Sequence, residues 1–147
     1  MRRAEAKADS ELELAGDLLL STSRSRRQRG PPALHPYFDD PRKSLMFDDF
    51  GKVIPVGVGD DKLRGDWSIK VYNLNDGKII PERRKAQDEA LDKYDTITKY
   101  HRFQGLSLHD AKLKAKDDSS FVSYINGKGP YSAAVLDFLR LAHPNYF

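Results

Sequence analysis

Asp66, Asp76 and Lys78 are the residues of this chain whose types and order come nearest to a reaction. Two acids, the second followed at one remove by a lysine, loosely match the hairpin-borne arrangement in which carboxylates hold Mg²⁺ and the lysine orients or charges a water. A small metal-dependent hydrolase or nuclease is therefore one alternative. The match is thin, because Asp76 and Gly77 belong to an Asn-Asp-Gly run whose turn chemistry already accounts for both. His101 and His109, with Asp110 beside the second, form a candidate metal pair across Gly105. Two ligands do not hold zinc, and no third follows at ligand spacing. Asp39-Asp40, Asp48-Asp49 and Asp60-Asp61 offer oxygens of the kind hard cations favour, without the alternating acids and central glycine of a calcium loop. Gly57-Val58-Gly59 lacks the third glycine of a dinucleotide fingerprint, and no Gly-Lys pair has the earlier glycine that a phosphate loop needs. With no cysteine, thiolate nucleophiles and thiolate-bound metals are excluded. The expectation is a chain that is not an enzyme and carries no cofactor.

Arg24, Arg26, Arg27 and Arg29, interleaved with Ser21, Ser23 and Ser25, are the most distinctive charged feature. Such a run suits phosphate contacts whose affinity falls with salt, and its serines suit phosphorylation. No aromatic residue interleaves it, so base stacking is not supported. Residues 1–32 hold seven Lys/Arg against five acids, and residues 33–147 hold 18 against 17. Any electrostatic partner is thus expected at the N-terminal arm, since a domain so near neutrality presents no strong field.

Three regions follow from composition. Residues 1–33 are a basic, low-complexity arm without aromatic residues, in which Ala4 to Leu20 has weak helical spacing and Ser21 to Pro32 is too polar to fold alone. Residues 34–62 read as an irregular anchor segment, with His35-Pro36, Asp40-Pro41 and Ile54-Pro55 each biased away from helix. Residues 63–147 read as a small α+β domain. Within it, Trp67, Ile69 and Val71 alternate with Ser68 and Lys70, and Asn75-Asp76-Gly77 is a strong turn, predicting a β-hairpin at about 67–80. Three to four helices should follow. The first runs from Pro81 to about Arg102 with Ala86, Ala90, Tyr94 and Ile97 on one stripe; the next is capped by Ser107 with Asp110. A short helical stretch ends at Asn126-Gly127, and a last, mostly apolar helix spans about Tyr131 to Ala142.

These features favour a structural or interaction subunit of a larger protein assembly, docking through the arm and through Tyr37, Phe38, Met46, Phe47 and Phe50 as partner-binding anchors. The aromatic pair Tyr146-Phe147 reads as a further surface that a lone domain struggles to cover. The other alternative is an RNA- or ribosome-associated protein using the arginines of the arm. No run of about 18 apolar residues is present, so no transmembrane segment is expected, and an intracellular or organellar setting is favoured.

Overall fold

Asn75, expected to turn a hairpin, instead turns the chain between two helices. In the computed structural model, which describes residues 32–147, a 3-10 turn at Pro41–Lys43 leads into β1 (Leu45–Phe47) and β2 (Val53–Pro55). Five helices follow: α1 (Asp60–Val71), α2 (Ile79–Phe103), α3 (Leu108–Asp117), α4 (Ser119–Ile125) and α5 (Ser132–Ala142). The class is α+β, as composition and pattern imply. The position of the hairpin is not: it is formed by β1 and β2, antiparallel, with Leu45 opposite Pro55, Met46 opposite Ile54 and Phe47 opposite Val53. Trp67–Val71 closes α1 and Ile79-Ile80 opens α2. Five alternating residues fit either period, and what decides for helix is the wider frame. Asp60 and Asp61 occupy the first turn, where the helix dipole favours acids, and Leu63, Trp67 and Val71 recur at i, i+4 and i+8. Residues 1–31, with Arg24, Arg26, Arg27 and Arg29, lie outside the described residues.

The true hairpin is closed by Asp48, whose carboxylate accepts the N–H groups of Phe50 and Lys52 at 2.9 and 2.8 Å, and by Gly51 at φ +78. Its short strands are held by side chains acting as substitute backbone. Asn75 accepts the Val53 N–H at 2.7 Å and donates to the Val53 carbonyl at 2.9 Å, pairing the open edge of β2 as a third strand would. Buried Gln87 donates to the carbonyls of Asp48 and Ala134, tying the hairpin loop to α2 and α5. Arg83 donates to the Leu74 carbonyl at 2.6 Å and sits 5.1 Å from the Phe47 ring centroid. Its burial lowers its pKa from the usual arginine value.

The helices share a core of Ala90, Tyr94, Ile97, Ala115, Phe121, Val135 and Leu139. The stripe read from α2 is this core's spine. Alanines at 111 and 115, fully buried, let α3 lie close against α2. The Ser107 cap forms as read: its Oγ accepts the Asp110 N–H at 3.1 Å and donates to the Asp110 carboxylate at 2.6 Å. For α4 the cap is Asp118, accepting from Ser120 N at 2.8 Å. Tyr146 and Phe147 are not an uncovered surface. Phe147 packs 5.3 Å from Tyr94 and 6.0 Å from Phe121, and Lys116 and Lys112 lie over the rings of Phe147 and Tyr146.

Tyr94, fully buried, donates its hydroxyl to the Lys112 carbonyl at 3.2 Å. Burial pushes its pKa up to about 12. The folded chain therefore keeps a proton that the unfolded chain releases near pH 10. The stability contributed is complete below that pH and declines as pH rises toward 12, by up to about 1.4 kcal/mol per pH unit. Urea midpoints at pH 9 and pH 11 should show this decline in the wild type and a visibly shallower one in Tyr94→Phe.

Candidate interaction surface

The chain from Leu34 to Asp39 runs along one row of α1. Leu34 is buried at one end of it, its N–H bonded to Ser68 Oγ at 2.7 Å and its carbonyl accepting the Tyr72 hydroxyl at 2.9 Å. At the other end Asp39 meets Arg64 at 2.5 Å. The His35 N–H, 2.7 Å from the same carboxylate, and then Arg64 hold Asp39 below the usual carboxylate range. Ser44, Leu45 and Gly65 complete the seat, a methyl group at position 65 being only 2.3 Å from the Ser44 carbonyl.

Fixing residues 34 and 39 pushes what lies between them outward. Tyr37 is 89% exposed and Phe38 85%, with the His35 ring 4.5 Å from that of Phe38. On α1, Leu63, Trp67 and Val71 stand about 100° around the helix from the Arg64, Ser68 and Tyr72 row that binds the segment. All three are exposed, Trp67 by 44%. Val58, in the loop before α1, is exposed as well. This stretch therefore presents aromatic and branched apolar side chains that the described residues leave about half exposed or more.

The expected anchors divide. Tyr37, Phe38 and Phe50 are on the surface, Phe50 with the Arg84 guanidinium 5.9 Å from its ring. Met46 and Phe47 are half-buried in the hairpin. Phe47 donates its N–H to Asp137 at 3.0 Å, and Met46 lines a groove of about 470 Å³ with Leu45, Leu136 and Leu141, edged by Arg42 and Arg140. The irregular segment thus lies across surfaces of its own domain, α1 and α5.

Sequence reading missed the Leu63–Trp67–Val71 ridge, because Trp67 and Val71 were given to a strand together with Ile69. The i, i+4, i+8 spacing and the acids at 60 and 61 were the available signal. Asp137 was also missed. Its side chain is 4% exposed, and it pairs with Arg42 and with Arg140 at 3.9 Å.

The acidic and histidine candidates are not assembled into a centre. Asp66 pairs with Lys70 on α1 at 2.7 Å, and Asp76 holds its own turn by accepting from Lys78 N at 2.8 Å. The hairpin that would have carried them is not formed there. His109 faces Tyr146 and His101 faces Tyr100. Among the described residues no group of three His, Asp or Glu side chains is placed to hold a metal ion, and no helix is long and apolar enough to cross a membrane. No family model, curated protein or solved structure matches this chain.

Proposed function

We propose that the chain is a non-enzymatic structural or interaction subunit that docks on another protein through the face made by Tyr37, Phe38 and the α1 ridge. One observation carries this reading. Two aromatic residues of a segment pinned along one row of α1, and three apolar residues on the adjoining row of that helix, stand exposed. Trp, Tyr and Phe are enriched at protein interfaces, and a few such anchors carry most of the binding energy there. The segment is held at both ends, so little ordering entropy remains to be lost on docking.

Quantitative crosslinking and pull-down from the native source, with the full chain as bait, tests the reading. The double variant Phe38→Ala/Trp67→Ala should keep the wild-type melting curve and recover at least about tenfold less of the partner. Equal recovery by folded variant and wild type would sink the idea. A second reading, an RNA- or ribosome-associated protein, is favoured by the Arg24, Arg26, Arg27 and Arg29 run. It expects RNA binding that weakens steeply with salt and is lost when those four residues become glutamine.

A further inference from the structure

We propose that the cleft between the C-terminal half of α2 and the start of α3 is a binding site for an acidic peptide segment carrying one bulky apolar side chain. The cleft has a volume of about 580 Å³. Three cations line it, Lys99, Arg102 and Lys112, against the single acid Asp95. This excess is local, since the residues from 33 onward are nearly balanced in charge. Phe103, 93% exposed, and the half-exposed Leu108 form an apolar rim beside these cations.

A second observation, independent of charge, points to a ligand at the same place. Thr98 lines the cleft, is only 6% exposed as a residue, and its Oγ1 has no hydrogen-bond partner. In a helix that hydroxyl ordinarily bonds back to the carbonyl one turn earlier. A buried hydroxyl left unpaired costs stability; it is closed to solvent, so a carbonyl or carboxylate in the cleft satisfies it by parting the side chains over it. The cations are already oriented by the fold. Arg102 donates one N–H to the Leu106 carbonyl at 3.2 Å, leaving its other donors for a carboxylate. The Lys112 ammonium is steadied 5.0 Å from the Tyr146 ring centroid.

Peptide is favoured over nucleic acid by two details. Asp95 among the cations can accept a peptide N–H, which a phosphodiester backbone does not offer. Phe103 is the one aromatic side chain lining the cleft among the described residues, so successive bases have no stacking platform. The site is separate from the α1 face, and Trp67→Ala should leave it intact.

The test uses the full chain, fluorescein-labelled Glu-Glu-Trp-Glu-Glu, and matched probes with glutamine for glutamate or alanine for tryptophan. Binding is read by anisotropy and located by amide shifts in NMR. The acidic tryptophan peptide should shift amides between residues 95 and 112, and each matched probe should bind about tenfold more weakly or worse. Arg102→Gln/Lys112→Gln should cause a similar loss. Thr98→Val should weaken binding about threefold while keeping or raising the melting temperature, which separates a ligand role from a structural one. Absence of binding at millimolar peptide, equal affinity for the glutamine probe, or shifts confined elsewhere would overturn the proposal. So would tighter binding in the cleft by a single-stranded RNA octamer or by octanoate.

Discussion

Gly65→Ala should destabilise the domain by about 3 kcal/mol, although alanine is the better helix former by about 1 kcal/mol. The added methyl would lie 2.3 Å from the Ser44 carbonyl oxygen, a distance that real Cβ contacts do not reach. That carbonyl cannot simply retreat, because it accepts the Val56 N–H at 2.8 Å and so helps close the hairpin. Nor can α1 move outward without loosening the Leu34 and Arg64 contacts that hold the aromatic segment. Propensity and packing thus predict opposite signs, and a urea midpoint decides between them. Gly77→Ala is the control, since nothing lies within 4 Å of a methyl there; it should fall within about 0.5 kcal/mol of wild type. A stabilised Gly65→Ala would show that α1 is not seated on residue 44.

Asp137→Ala should cost about as much, roughly 3 kcal/mol, for a different reason. The carboxylate, 4% exposed, joins three elements: it pairs with Arg42 of the 3-10 turn, accepts the Phe47 N–H of β1 at 3.0 Å and grows from α5. Its removal orphans that half-buried N–H and leaves Arg42 without its partner. Asp137→Asn keeps an acceptor for Phe47 and should lose about half as much. Replacing both ends of the ion pair, in Arg42→Met/Asp137→Leu, should recover only part of the stability, because apolar contact replaces the pair while the Phe47 N–H stays without its acceptor. Asp88→Ala, which breaks the exposed pair with Arg84, should change the midpoint by under about 0.5 kcal/mol.

How much of this was legible in the sequence depended on the range of the interaction. The α2 spine and the Ser107 cap were readable, because periodicity and capping are settled within a few residues. The hairpin was misplaced because its strands are three residues each, too short to show a period, and because Asn75 pairs Val53 from 22 positions away. Of the candidate interaction surface, Tyr37, Phe38 and Phe50 were nominated from residue type alone, and the fold leaves all three exposed. The α1 ridge was not, since a five-residue alternation outweighed the longer helical spacing. Asp137 sits in an apolar helix, and its one local ion pair, with Arg140 at 3.9 Å, does not reveal its bond to Arg42, 95 residues earlier.

That separation governs the order in which the molecule assembles. The α2–α3 pair meets across a turn of a few residues, whereas the hairpin reaches α5 only after a closure spanning some 90 positions, an entropic toll of about 4 kcal/mol. Local helix pairing should therefore precede docking of the hairpin, with the Asp137 seam the last contact made and the first released. In stopped-flow chevrons Asp137→Ala should accelerate unfolding while barely slowing refolding. By this order the β-hairpin should open while α2 and α3 remain closed.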